Sequence, residues 1–136
     1  MKKIVLNRLD YVRIKKWLGE AMQTRSISKP EAEKLLQELD SAKVVDPNEV
    51  PSDVVTMNSV VEIMFMNNRK QLQFRIVYPD EANLKENKIS IFSPVATALL
   101  GYRAGDEIEW MVPAGMTQIR ILEIKYQPEA AGDFDL

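Results

Sequence analysis

Residues 46–53 read Asp-Pro-Asn-Glu-Val-Pro-Ser-Asp, and no other stretch constrains the fold as strongly. Each proline lacks a backbone donor and drives the residue before it out of helical conformation, so neither a helix nor a central strand can run through the segment. Helical periodicity precedes it and strand alternation follows it. The expected division is a helical unit over residues 1–46 and a β-rich unit over residues 47–136.

In the first unit, Tyr11, Ile14, Leu18 and Ala21 with Met22 recur at heptad-like spacing behind Asp10, whose carboxylate offers an N-cap. A second helix is predicted from Ser28, where Ser28-Lys29-Pro30-Glu31 supplies a capping box with proline in the first turn. Its seam is Ala32, Leu35, Leu39 and Ala42, and Pro47 helps to end it. Residues Gln23 to Ile27 are enough to reverse the chain, so the two stripes can zip into a short antiparallel helical hairpin, coiled-coil-like. Arms of roughly 13–15 residues reach only about 20 Å and need a partner surface to be stable. They either project as a hairpin or lie as a layer over the β unit.

In the second unit, Val60 to Met66 and Leu72 to Tyr78 read as strands joined by the turn-prone Asn67-Asn68-Arg69-Lys70. Leu72, Phe74, Ile76 and Tyr78 alternate onto one face. Glu107 to Val112 and Gln118 to Tyr126 form a second predicted hairpin around Pro113-Ala114-Gly115, with Ile108, Trp110 and Val112 on one face. Between the hairpins, Ser93-Pro94, the apolar run Val95 to Leu100 and Gly101 supply an N-cap, a first-turn proline, a body and a C-terminal glycine, the pattern of one short buried helix. The class is α+β, a twisted antiparallel sheet around one short helix.

A chain of 136 residues supports one ordinary core, and 46% hydrophobic with 28% charged residues is the balance of a folded globular protein. No apolar run approaches the ~18 residues of a membrane span, and Met1 to Val5 is too short for a secretory signal, so the expected location is cytoplasmic. With no cysteine and no histidine, thiolate chemistry, disulfides and imidazole proton transfer are closed. Residues 1–46 carry ten Lys/Arg against seven Asp/Glu, a net +3, and residues 47–136 carry eight against thirteen, a net −5. The basic front is either steered toward an acidic partner or is a solvated helix face; it is too weak for a phosphate-binding stripe. Gly101 to Gly105 lacks a phosphate-loop signature. Trp110 and Tyr126 sit at strand positions of an acidic unit and read as core or half-buried residues rather than base-stacking platforms.

The run Ile89-Ser90-Ile91-Phe92-Ser93-Pro94-Val95-Ala96-Thr97-Ala98-Leu99-Leu100-Gly101, followed by Gly105-Asp106-Glu107-Ile108, resembles the C-terminal domain of the Gre transcript-cleavage factors. The segments Val54 to Ser59 and Tyr126 to Phe134 are similar to a branch of that superfamily. The resemblance implies an FKBP-like C-terminal domain and an N-terminal helical hairpin shorter than that of the cleavage factors. It also implies RNA polymerase as the partner, gripped near the mouth of its secondary channel.

In the cleavage factors, acidic residues at the hairpin tip hold a metal and a water beside the polymerase's catalytic magnesium. Here Ala21 to Pro30 contains Arg25 and Lys29 but neither Asp nor Glu; Glu20 and Glu31 only flank it, and Glu31 has a capping role. The implied protein is a non-catalytic, cofactor-free monomer whose tip is Arg25, Ser26 and Lys29. It would compete with Gre-type factors close to nucleic acid, without stimulating cleavage or binding a specific sequence. Ser93 and Pro94 match the family's polymerase-docking loop, but Phe92 stands where an acidic residue is often found. The alternative is that Ser93 only caps and Phe92 is only core. Three further alternatives stay open: an FKBP-like prolyl isomerase, a chaperone-type peptide binder, and a module for some other acidic groove. The tail from Gln127 is either a partner-reading strip or a loosely ordered terminus.

Overall fold

In a computed structural model the described residues are 4–25, 29–112 and 115–132. The first described element is a buried three-residue strand, β1 (Val5–Asn7), which passes directly into α1 (Arg8–Thr24). It continues through α2 (Lys29–Ser41) and returns in β2 (Lys43–Val45). β1 and β2 pair in parallel, with Val5 opposite Lys43, so the chain comes back beside the point it left. Lys15 of α1 accordingly lies 4.0 Å from Asp40 of α2.

These short strands correct two helix boundaries. The N-cap of α1 is Asn7, not Asp10: its backbone is extended (φ −78°, ψ 153°) and its side-chain oxygen accepts the Asp10 N–H at 2.7 Å. Pairing with β1 delivers the chain to Asn7 already extended, so the helix starts a turn earlier and Asp10 is swallowed by it. At the far end, α2 stops because β2 begins two residues later, not because of Pro47, which opens a 3-10 turn at Pro47–Glu49. The seam is as read from periodicity: Ile14, Leu18 and Ala21 of α1 and Ala32, Leu35 and Leu39 of α2 are buried, while Met22 is exposed. Ser28 of the expected capping box lies outside the described residues.

Five strands form the main sheet in the order β5 (Lys88–Ser90), β4 (Lys70–Val77), β3 (Val60–Phe65), β7 (Gly115–Tyr126) and β6 (Glu107–Val112). β3 with β4, β3 with β7 and β6 with β7 are antiparallel. The first hairpin turns through Arg69 in left-handed conformation (φ 58°), and Asn68 Oδ1 accepts the Lys70 N–H at 2.9 Å. Pro113 and Ala114 of the second expected hairpin lie outside the described residues. The sheet is mixed rather than wholly antiparallel, because β5 runs parallel to β4. Residues 78–87 cross over through two 3-10 turns (Pro79–Glu81 and Leu84–Glu86) instead of closing a hairpin.

The α+β class is therefore observed. α3 (Pro94–Leu99) lays Ala96 and Leu99 into the core, and α4 (Pro128–Ala131) closes the described chain. Leu6, Ile14, Leu18 and Leu35 belong to the same buried cluster as Met57, Ile63, Ile76 and Ile121, so helices and sheet share apolar packing. No helix among the described residues is long and apolar enough to cross a membrane.

β1 is seated on Gly101. The glycine adopts φ +84°, and a Cβ added there would lie 2.5 Å from Ile4 Cβ. The Val5 N–H donates to Gly101 O at 3.3 Å, and the Gly101 N–H donates to Val55 O at 2.9 Å. The expected consequence is that Gly101→Ala lowers stability by roughly 2 kcal/mol or more, since a strained backbone and a backbone-proximal clash act together. A lower urea midpoint checks this, and an unchanged midpoint would mean that Ile4 and β1 do not seat there.

Candidate functional site

The turn between β5 and α3 carries Phe92, Ser93 and Pro94, and its neighbours fix its shape. The Ile91 N–H donates to Val77 O at 2.9 Å and the Ser93 N–H to Ser90 O at 2.9 Å. Ser90 Oγ accepts the Phe92 N–H at 3.1 Å, and Thr97 Oγ1 donates back to Ile91 O at 2.7 Å. Local partners thus take up the turn's backbone groups and leave it little freedom. Phe92 is half-buried and packs on the core. Ser93 occupies the N-cap position with Pro94 in the first turn, but its side chain makes no capping bond. Its hydroxyl oxygen is buried and has no hydrogen-bond partner among the described residues. The expected Ser93 cap is therefore right in position and absent as a bond.

The other predicted group sits at the far end of the helices. Arg25 ends α1 in left-handed conformation (φ 58°), its N–H donating to Ala21 O, and Thr24 Oγ1 donates to Glu20 O at 3.1 Å. Arg25 and Lys29 are both exposed, which puts two cations at this end; Ser26 lies outside the described residues. α1, with 17 residues, is about 25 Å long. The turn ahead of α3 and the far end of the helices thus belong to separate parts of the molecule.

A third group went unread in the sequence. At the base of the helices, Asp10 is 2% exposed and Glu129, in α4, 9% exposed. Asp10 Oδ2 accepts the Met57 N–H at 3.2 Å and Oδ1 accepts the Tyr78 hydroxyl at 3.3 Å. Glu129 Oε1 accepts the Thr56 hydroxyl at 2.7 Å, and Oε2 accepts Asn7 Nδ2 at 3.3 Å. Thr56 Oγ1 also lies 2.9 Å from Ser59 Oγ. Burial pushes the Asp10 carboxyl up to about 7, and the nearby Glu129 charge adds to the push. Burial also raises the Tyr78 phenol, with the Asp10 charge reinforcing it. Among the described residues no group of three or more acidic side chains could hold a metal ion. The cluster is a polar joint, not a coordination site. Its one sequence signal was the polar run Thr56, Asn58, Ser59 amid apolar residues.

This fold, a helical pair on a mixed sheet with a braced turn ahead of α3, belongs to a known class. The chain is a member of the GreA/GreB transcription elongation factor family, whose C-terminal family model matches residues 50–126, and is a regulator of the elongation-factor type. Over 132 residues, 96% of this chain and 95% of the relative, it is 41% identical to the regulator of nucleoside diphosphate kinase of Escherichia coli. It is 43% identical over 86 residues to transcription elongation factor GreA of Clostridium botulinum, covering 63% of this chain and 54% of that protein. Among solved structures, a prokaryotic transcription elongation factor GreA/GreB from Nitrosomonas europaea aligns with a TM-score of 0.74 at 39% identity, covering 93% of this chain and all of that one. The resemblance read from Ile89 to Gly101 therefore holds, and the similarity to the Escherichia coli regulator runs nearly the full length of both chains.

The sign of the Asp10 effect is set by its raised folded-state value. The unfolded carboxyl ionises near 3.8 and the folded one near 7, so the folded state holds the proton longer. Stability contributed by the neutral form is complete below the unfolded value and is lost as pH rises through about 7, a change on the order of 4 kcal/mol. The native protein should therefore unfold at lower urea at pH 8 than at pH 5. Asp10→Asn should flatten that difference, and an equal slope in the variant would remove Asp10 as its source.

Proposed function

We propose that the protein is a non-catalytic regulator that docks on RNA polymerase near its secondary channel and competes there with Gre-type factors without stimulating transcript cleavage. The carrying observation is the chemistry of the helix tip. Arg25 and Lys29 are exposed there, and residues 21–30 include no carboxylate. Stimulated hydrolysis requires oxygen ligands that hold a divalent ion and a water, and two cations repel such an ion.

In this reading Phe92, Ser93 and Pro94 form the polymerase-facing turn, and Arg25, Ser26 and Lys29 enter the channel mouth on a short antiparallel hairpin. Residues 1–46 act as the projecting unit and residues 47–136 as an FKBP-like docking unit. The protein works as a cytoplasmic monomer without a cofactor, close to nucleic acid but reading no sequence. Family membership and the braced geometry of the turn support the docking assignment, since a preformed turn loses little conformational entropy on binding. The similarity to elongation factors gives the isomerase alternative no support.

Two measurements test this reading. With polymerase halted on a backtracked template, added protein should leave the intrinsic cleavage rate unchanged and slow cleavage stimulated by a Gre factor; strong stimulation by the protein alone would refute the proposal. Replacing Phe92 and Pro94 together by alanine should weaken polymerase capture about tenfold, the loss typical of a binding hot spot. The variant should keep a cooperative unfolding transition, and undiminished capture would rule out this turn as the docking surface.

A further inference from the structure

Residues 127–132 lie beyond the family match, which ends at Tyr126, yet they are firmly bonded. Gln127 Nε2 donates to Pro51 O at 2.8 Å and to Val54 O at 2.7 Å, while its Oε1 accepts the Ala130 N–H at 3.2 Å. Pro128 and Glu129 are buried. Through Glu129, α4 holds Asn7 at the start of α1 and Thr56 in the loop ahead of β3. One four-residue helix thus ties together the segment that launches the helices and the segment that launches the sheet.

The groups facing Asp10 are Glu129 from α4, Tyr78 from the end of β4, and Arg13 from its own helix. Two carboxylates sharing so dry a site are costly to ionise together, and the strain falls on whichever group moves more easily. Asp10 belongs to a 17-residue helix whose Ile14 and Leu18 are locked in the core. Glu129 sits in a four-residue helix closed by Gly132 in left-handed conformation (φ 79°). Moving Asp10 would unseat the core, whereas moving Glu129 breaks a few polar bonds.

We propose that α4 is a proton-gated strap, held over the joint between helices and sheet while Asp10 keeps its proton, and released when ionisation of Asp10 places a charge in the buried network that Glu129 closes. Release frees Pro51 O, Val54 O, Thr56 and Asn7 together, so the loss of one proton uncouples α4 from both units it bridges. This device does not depend on the polymerase reading. It turns ambient pH near neutrality into a change in how the helical pair is braced.

The sequence has no cysteine, so a nitroxide placed through Ala131→Cys reports only the strap, at a position that is exposed. Electron paramagnetic resonance spectra between pH 5.5 and 8.5 should show a restricted label at low pH. The ratio of mobile to restricted label should rise with pH by up to about tenfold per unit, the slope of a one-proton linkage, and level off above about 7, where Asp10 is already ionised in the held state. A label introduced through Gln73→Cys in β4 should not change, and far-UV circular dichroism should stay constant, which separates strap release from unfolding. Adding Asp10→Asn, or separately Glu129→Gln, should hold the ratio at its low-pH value throughout. A native ratio independent of pH, or an undiminished rise in either folded variant, overturns the proposal. Should Asp10→Asn fail to fold, Glu129→Gln decides alone.

Discussion

The contact between Ile4 and the bare α-carbon of Gly101 underlies the rest of the arrangement. It lets β1 lie against the end of α3, where the Val5 N–H reaches Gly101 O. With β1 fixed there, β2 pairs beside it, and α1 and α2 leave and return at one place on the sheet unit. Any side chain at position 101 would displace β1 and, with it, the direction in which the helices leave. A backbone-level constraint at one residue thus orients a helical element whose first helix, of 17 residues, is about 25 Å long.

The turn ahead of α3 and the joint below the helices differ in how they are held. The turn at Phe92 and Ser93 is braced from both sides, by β4 through Val77 and by α3 through Thr97. This is the rigidity expected of a preformed recognition element. The joint below the helices is held instead by a buried polar network around Asp10, Thr56, Tyr78 and Glu129, whose strength depends on where a proton resides. Apolar packing fixes the architecture, and the polar joint makes part of it conditional.

The helical seam was legible because its signal is local: Ile14, Leu18, Ala32, Leu35 and Leu39 announce their burial by spacing alone. The same holds for Phe74, Ile76, Ile119 and Ile121 in the strands. β1, β2 and β5 were not legible, since three residues carry too little periodicity, and parallel pairing of Val5 with Lys43 or of Arg75 with Lys88 leaves no mark in either segment. Asp10 was misread for a related reason. An acid at the start of an apolar-periodic run is an N-cap by every local rule, and only the strand before it moves the helix start to Asn7.

By itself, the sequence determined the α+β class, the break at the prolines, the family, and the absence of carboxylates from residues 21–30, because each of these depends on residue type and near-neighbour spacing. Tertiary structure alone decided that Gly101 seats β1, that Thr97 braces the turn ahead of α3, and that Asn7, Asp10, Thr56 and Glu129 meet in one buried network. Asn7 and Glu129 are 122 positions apart, and no local pattern records a contact between residues that only the closed chain brings together. The ionisation of Asp10 is likewise a property of its surroundings: the residue name implies an ordinary carboxylate, and burial beside a second acid makes it a proton-holding group.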